Sequence, residues 1–555
     1  MVLRMNFWRA WARRTSRDER GSILVFVMMV FSAMFLVGGA AVDLSRHENL
    51  RSTLQYNLDR AVLAAASLKQ SETPQVIVED YMSKVITIEN FTVNVENQAV
   101  SVNSRSVEAT ATAILDTWFL SMAGIHDMPI RVRSAAEERI PELEISLVLD
   151  VSGSMAGAKL TNLKTAAKQF VTTMLANVDP DSTSISVVPF NHNVAPSLGI
   201  YNNMTVDEIH KYSACLTISD ADFSNTFIDP NVSQKQTIFT SSAGGWQSLD
   251  GGRKTCYSQD YFEILPFQQN ETVLHTKIDS LQADGWTSAH MGMKWGMALL
   301  DPKFQPIVTQ LITDLEVDAG FAGLPVAYTD PDTLKIVVLM GDGANTWEFI
   351  MPDAYRGSNS DLFEVTYQVQ EFQYAYHKNK VWKTSTSESK CGKNKWVCVY
   401  DTVDETDFYL RDPDNNEYLD IDDDNWISQN AFDNLPSTLT GWTNTKRLSW
   451  AEAWGQMPTN WYGNETGNWV PHNNMWGGTS RSMSEADALM TDACTAARNT
   501  GIVTYTIGYQ TNSTTSSKLR ACATNASLYY DANTTNITQV FSSIAASIQK
   551  LKLTQ

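Results

Sequence analysis

Five oxygen-bearing side chains in this sequence could together hold a metal ion. Asp150, Ser152 and Ser154 stand in the run Asp-Val-Ser-Gly-Ser-Met, after a continuous apolar run and before a segment of helix-forming residues. Thr287 stands before another predicted helix, and Asp342 follows a second apolar run within the sequence Gly-Asp-Gly. Hydroxyls and carboxylates are the hard oxygen ligands that Mg²⁺ or Mn²⁺ prefers. We therefore predict one divalent-cation site at these five residues, against the alternative that the serines only cap the following helix.

The elements that must position these residues alternate along the chain. Apolar runs at 143–150, 184–190, 334–340 and 501–509 predict strands covered on both faces, and stretches at 159–175, 288–300 and 484–498 predict helices between them. Such alternation is typical of an α/β fold with a doubly wound parallel sheet. Ligands in such sheets bind beyond the carboxyl ends of the strands. We expect Asp150 and Thr287 to lie in loops at that edge.

The motif and its setting resemble a known family. Asp-Val-Ser-Gly-Ser-Met is similar to the signature of von Willebrand factor A domains, which have a Rossmann-like fold and a metal-ion-dependent adhesion site. The resemblance implies a Mg²⁺ or Mn²⁺ ion held by Ser152, Ser154 and Thr287, with Asp150 and Asp342 acting partly through water. It also implies an open coordination position for a carboxylate from a protein partner or a surface ligand.

Two segments, at about 191–270 and 344–483, interrupt the alternation and are predicted to be insertions. The second contains ten of the sixteen tryptophans, which form either a small core of its own or a binding face. Its acidic run at 412–423 has several positions of a calcium loop, but Glu417 stands where that loop needs glycine. A hairpin turn explains the run equally well.

The N-terminal region predicts a membrane anchor. Arginines crowd the first twenty positions, and residues 22–42 are uncharged over a length that crosses a bilayer, which predicts a transmembrane helix at 21–42. The positive-inside rule then places residues 1–20 in the cytoplasm and the rest of the chain across the membrane. A cleaved secretory signal is the alternative, although its apolar core is ordinarily shorter. Residues 43–140 predict a stalk of one helix and a small antiparallel sheet, with a short apolar segment at 118–125. Residues 141–551 are predicted to form the von Willebrand A domain with its insertions.

Residues 17 to about 70 resemble the N-terminal module of TadG-like proteins of the Tad (Flp) pilus assembly system. The shared features are the arginine-rich start, a glycine at the membrane edge and a long alanine-rich helix. Gly21 matches a prepilin peptidase site, but Phe26 stands where the relatives usually carry glutamate, so processing is doubtful. The resemblance implies a single-pass protein of the bacterial inner membrane, with its bulk periplasmic or on the cell surface and other pilus subunits as possible partners. Assembly or adhesion without enzymatic activity is the favoured function, and a metal-dependent hydrolase of envelope polymers, with its active site in the insertions, is the alternative.

Charge and cysteine content restrict the partners and the compartment. The 42 basic and 62 acidic residues give a net charge of -20, which disfavours binding to nucleic acid. Six cysteines in an exported body fit disulfides, and we expect neighbours to pair, with free buried thiols as the alternative. The expected pairs are Cys215 with Cys256, Cys391 with Cys398, and Cys494 with Cys522.

Overall fold

The computed structural model describes residues 22–67, 70, 72–85, 91–100, 104–139, 142–176, 182–240, 254–393, 395–477 and 480–554. The chain divides into two compact units, residues 1–141 and residues 142–554. The predicted cytoplasmic tail and Gly21 lie outside the described residues.

The first unit is built on one long helix. Helix α1 (Ser22–Ala65) is continuous from the apolar segment into the stalk, and it is long and apolar enough to cross a membrane. Its second half packs with helix α2 (Pro74–Val85) against an antiparallel sheet of β1 (Phe91–Val100), β2 (Ser104–Asp116) and β3 (Asp127–Arg139). The helix and small sheet agree with the prediction, and α2 is an element that the sequence analysis missed.

The second unit contains the predicted doubly wound sheet. Its strands are β4 (Glu142–Asp150), β5 (Thr183–Phe190), β6 (Leu265–Gln268), β7 (Thr333–Gly341), β8 (Val503–Tyr509) and β9 (Tyr529–Ala532). They lie in the order β9-β8-β7-β4-β5-β6, and every pair is parallel except β5 with the edge strand β6. The fold class is therefore the predicted one, with an antiparallel edge.

Helices cover both faces of this sheet. On one face lie α3 (Ala158–Leu175), α4 (Glu271–Ser280) and α9 (Ile537–Thr554). On the other lie α5 (Ala289–Ala298), α6 (Gln305–Thr313), α7 (Met483–Asn499) and α8 (Ser513–Cys522). Strand β4 alternates between the two cores, since Leu147 and Leu149 face α3 whereas Val148 faces α5. All three are fully buried, which explains why the sequence of β4 is continuously apolar.

The first insertion is a small subdomain that packs on the core of the second unit, in which its Ile200, Leu216 and Phe223 are buried. It contains a three-stranded sheet of Val206–Asp207, Gln234–Gln236 and Leu216–Thr217, the helix Leu198–Asn202, and the Cys215–Cys256 disulfide. The buried ammonium of Lys294 on α5 donates to the carbonyl oxygens of Asp222 and Asn225 in this insertion.

The second insertion forms an antiparallel sheet and a group of short helices. The sheet is dominated by a ribbon of the long strands Asn359–His377 and Trp396–Asp412. Three shorter strands, Lys380–Ser385, Glu417–Asp420 and Asn425–Ser428, extend the sheet, and Trp442–Ser449 pairs with Asn359–His377. The short helices are Asp353–Arg356, Gln429–Asp433, Leu435–Thr438, Trp450–Gln456, Thr459–Thr466 and Val470–Gly477.

The tryptophans and the acidic run of the second insertion have different roles. Trp450, Trp454 and Trp461 are buried together in the insertion's own core, as the first alternative held, whereas Trp347 and Trp426 remain more than a third exposed. The acidic run at 412–423 is a hairpin: Asp412 accepts hydrogen bonds from the backbone N–H groups of residues 414 and 415, and the chain returns as Glu417–Asp420. The other two disulfides, Cys391–Cys398 and Cys494–Cys522, are the expected neighbour pairs.

Candidate cation site

The candidate site lies where the order of the sheet reverses. After β4 the chain continues to β5 on one side, whereas β7 pairs with the other side of β4. In sheets of this kind the loops after two such strands diverge, and the place between them, at the carboxyl ends of β4 and β7, is called here the crevice. Asp150 is the last residue of β4, and Asp342 is the first residue after β7.

A chain of hydrogen bonds joins four of the five predicted residues. The Asp150 carboxylate accepts from the backbone N–H of Ser152 at 2.9 Å and from that of Asp342 at 3.2 Å. The hydroxyls of Ser152 and Ser154 are 3.0 Å apart, and the Ser154 hydroxyl donates to the Asp342 carboxylate at 2.6 Å. The two strand ends thus bring two carboxylates and two hydroxyls into one network.

Thr287 reaches the same place from the loop between α4 and α5. Its backbone N–H donates to the Thr346 hydroxyl at 3.0 Å, and the Thr346 N–H donates to the Thr287 carbonyl at 2.8 Å. A Cβ added to Gly343 would lie 3.9 Å from the Thr287 hydroxyl oxygen, so this hydroxyl is directly beside the residue that follows Asp342. All five predicted residues therefore surround the crevice.

The network contains negative charge that is buried inside the protein. Asp150 is fully buried, and both this burial and the nearby charge of Asp342 raise the pKa of Asp150 to about 7. Asp342 has a cationic partner, because the Lys159 ammonium lies 2.6 Å from its carboxylate. Among the described residues, Asp150 has no ion-pair partner. Buried carboxylates beside hydroxyls fit a hard divalent cation, which would neutralise the charge that burial disfavours.

Two expectations about this site need correction. The helix-capping alternative is wrong: α3 begins after Gly157, with no side-chain cap, and the hydroxyls of Ser152 and Ser154 contact each other and Asp342 instead. The expectation that Asp150 lies in a loop is also wrong, because it still pairs with Phe190 at the end of β4. Substitution of Asp150 therefore changes a buried hydrogen-bond network, whether or not the residue binds a cation.

Lys159 is the site residue that the sequence analysis missed. It stands in the first turn of α3, five residues after Ser154, and its ammonium donates to the Asp342 carboxylate. In the described part of the chain, this crevice included, no group of three or more His, Cys, Asp or Glu side chains is placed to hold a metal ion, so a cation here would depend on the two carboxylates and the hydroxyls.

Comparisons with known proteins agree with these features. A family model described as von Willebrand factor type A domain matches residues 144–244, and one described as putative Flp pilus-assembly TadE/G-like matches residues 21–68. No curated protein matches the chain.

Solved structures with some likeness include pilus proteins and a mussel protein. The von Willebrand factor domain of the type V pili tip protein Mfa5 from Porphyromonas gingivalis is 13% identical, with 75% of this chain and 97% of that chain covered and a TM-score of 0.31. The pilus adhesin RrgA from Streptococcus pneumoniae is 9% identical, with 84% and 49% covered and a TM-score of 0.28. Proximal thread matrix protein 1 from the mussel byssus, with a zinc-occupied metal-site motif, is 10% identical, with 73% and 46% covered and a TM-score of 0.24. At these values the likenesses carry no argument about what this chain binds.

The fold is that of a von Willebrand factor type A domain with large insertions, and the model of this domain matches residues 144–244. In front of it the chain carries a TadE/G-like pilus-assembly segment, which includes the helix that is long and apolar enough to span a membrane.

Proposed function

We propose that the chain is a membrane-anchored, pilus-associated protein whose von Willebrand A domain binds an acidic protein partner or surface ligand through a divalent cation. The cation, Mg²⁺ or Mn²⁺, is held by Asp150, Ser152, Ser154, Thr287 and Asp342. The observation that carries the proposal is the pair of buried carboxylates at the switch point of the sheet: Asp150 accepts from the backbone N–H of Asp342, and the Asp342 carboxylate accepts from the Ser154 hydroxyl.

The charges around the crevice favour an acidic partner once the cation is bound. The two carboxylates contribute -2, Lys159 contributes +1 and the cation contributes +2, so the loaded crevice has a net charge of +1. The chain as a whole has a charge of -20, so this crevice would be a local positive site on an acidic protein. Because hydroxyl ligands bring no charge, they leave the cation able to attract a carboxylate from a partner.

Calorimetry on the full-length protein in detergent tests the cation. We expect one binding event with Mg²⁺ or Mn²⁺ in the wild type and none in Asp342→Asn, because that carboxylate both faces the crevice and accepts from Ser154. Asp314→Asn, on an exposed aspartate directly after α6, is the matched control and should bind normally. Equal binding by all three proteins would contradict the proposed site.

Attachment of cells tests the function. Cells that produce Asp342→Asn at wild-type levels should lose surface attachment or pilus assembly to the level of the deletion strain, whereas Asp314→Asn cells should keep it. A variant lacking residues 359–477, which keeps Thr346 and its hydrogen bonds to Thr287, separates the roles of the cation and the tryptophan-rich insertion. Normal attachment by Asp342→Asn cells, together with loss of attachment in the insertion deletion, would show that the insertion, and not the cation, is needed for attachment.

A reporter fusion tests the orientation of the anchor. The arginines before residue 22 favour a cytoplasmic N-terminus, so alkaline phosphatase fused after Gln555 should be active. Active β-galactosidase at that position would place the domain in the cytoplasm and overturn the orientation.

A further inference from the structure

The loop between β2 and β3 is unusually apolar for an exposed turn. Its residues 118–125, called here the apolar loop, read Trp-Phe-Leu-Ser-Met-Ala-Gly-Ile and contain no charged side chain. Trp118 is 64% exposed, Met122 is 73% exposed and Ile125 is 48% exposed. Clustered apolar side chains at the surface indicate a contact with a partner or with lipid.

The loop contacts α1 within the apolar part of that helix. Phe119 lies so close to Gly39 that a Cβ on this glycine would approach its side chain to 2.5 Å, and its ring centroid is 5.6 Å from that of Phe35. Phe35 is thirteen residues after Ser22 and Gly39 is seventeen, or about 20 and 26 Å along the helix axis. Since the hydrocarbon core is about 30 Å thick, a bilayer that begins near Ser22 includes this contact.

The backbone of the loop is satisfied by a charged residue of the helix. Asp43 is fully buried, and its carboxylate accepts from the N–H groups of Trp118, Phe119 and Leu120 at 3.0, 2.7 and 2.9 Å. These three donors are the ones that would otherwise need water at the start of the short 3₁₀ turn Leu120–Ala123. The loop can therefore enter a water-poor layer without leaving these N–H groups unpaired.

Arg46 completes an arrangement suited to the membrane surface. Its guanidinium donates to Asp43 at 3.3 Å and stacks on the Trp118 ring, 3.6 Å from the centroid. Tryptophan and arginine side chains are favoured where acyl chains give way to phosphate headgroups. Asp116 and Asp127, which flank the loop, are both exposed.

We propose that the apolar loop is a second membrane contact, which inserts Trp118, Met122 and Ile125 among the phospholipids of the leaflet nearest the stalk. The occupant of this surface is the bilayer itself, because the loop is continuous with the exposed apolar face of α1. Two contacts fix the direction in which the stalk leaves the membrane, which one helix alone does not. The inference rests on the proposed membrane span of α1.

Photo-crosslinking in phospholipid nanodiscs tests the loop and the span separately. The full-length protein is prepared with p-benzoylphenylalanine at one of three exposed apolar positions: Met122 in the loop, Phe31 in the apolar part of α1, or Leu63 about 31 Å beyond residue 42 on the same helix. We expect phospholipid adducts, detected by mass spectrometry, at Met122 and Phe31 at comparable yield, and none at Leu63.

Each other outcome contradicts a defined part of the inference. Lipid adducts at Phe31 but not at Met122 would overturn the loop insertion and leave the span intact. Adducts of Met122 with a second copy of the chain in place of lipid would make the loop an interface between copies. The absence of lipid adducts at Phe31 would overturn the span and the inference together. Limited proteolysis of each variant, compared with the wild type, checks that the stalk has folded, so that misfolded protein is not scored.

Discussion

Asp150→Asn should make the cation-free protein more stable at alkaline pH, although it removes a proposed ligand. Burial and the charge of Asp342 raise the pKa of Asp150 from 3.8 to about 7 in the folded state, a change worth about 4 kcal/mol. Because the folded state holds this proton more tightly than the unfolded chain, the stability of the wild type falls as the pH rises between about 4 and 7. An asparagine does not ionise and does not suffer this loss.

The loss of a hydrogen bond in Asp150→Asn opposes this gain in stability. Its two oxygens accept from the N–H groups of Ser152 and Asp342, and an asparagine can accept only one of these bonds well. An unsatisfied buried N–H costs about 1–3 kcal/mol. The net gain expected for Asp150→Asn at pH 8 without cation is therefore about 2 kcal/mol.

Urea unfolding of the full-length protein in detergent, followed by tryptophan fluorescence in the presence of a chelator, measures this gain. The difference between the variant and the wild type should widen by about 3 kcal/mol in the variant's favour from pH 4.5 to pH 8. Mg²⁺ at about 100 times its dissociation constant should add about 2.7 kcal/mol to the wild type alone and remove the advantage. A variant that is less stable than the wild type by the same amount at both pH values would refute the reasoning, and Asp314→Asn should show no change at either pH.

Three further changes have defined expectations. Replacing Cys494 and Cys522 by serine removes a cross-link over 28 residues and should lower the free energy of unfolding by about 3.5 kcal/mol, and an unchanged urea midpoint would contradict this. Burial lowers the pKa of His192 to about 4, so the stability that the neutral imidazole contributes is complete above pH 6.5 and is lost as the pH falls toward 4. His192→Phe should therefore abolish up to about 3 kcal/mol of acid destabilisation. The measurement is the unfolding free energy of the variant and of the wild type as a function of pH. Ser482→Ala breaks the capping box with Glu485 at the start of α7 and should cost about 1 kcal/mol in urea unfolding, whereas a neutral result would show that the cap is dispensable.

The central sheet was predictable because its strands are covered on both faces. Residues such as Leu147 and Val148 face opposite cores, so the whole run is apolar and stands out from the rest of the sequence. The placement of Asp150 and Asp342 followed from the same rule, since the ends of adjacent parallel strands meet at one edge. Lys159 could have been found from its place in the first turn of α3.

Other elements were missed for physical reasons that the structure makes plain. Helix α2 contains the run Val-Ile-Val, which has strand propensity, yet it packs as a helix because Val78 and Met82, one turn apart, are both buried against the stalk sheet. The ribbon of Asn359–His377 and Trp396–Asp412 alternates aromatic or β-branched residues with polar ones, but its outer part is exposed on both faces, so no continuous apolar run marks it. The tertiary contact between Phe119 and Gly39 joins residues eighty positions apart and has no local pattern at all.

The path of strand β4 has a mechanical consequence. The strand begins at Glu142, directly after the stalk, and ends at Asp150 in the crevice, with β5 and β7 parallel to it on either side. A partner that pulls on the crevice while the membrane holds the stalk would load β4 along its own length. A force along the strand would load the hydrogen bonds to β5 and β7 at the same time. In a hairpin that is pulled open from one end, the hydrogen bonds break one after another instead. If the proposed anchor and the proposed partner both act, tension would therefore enter the domain through a strand that is hydrogen-bonded along both of its edges.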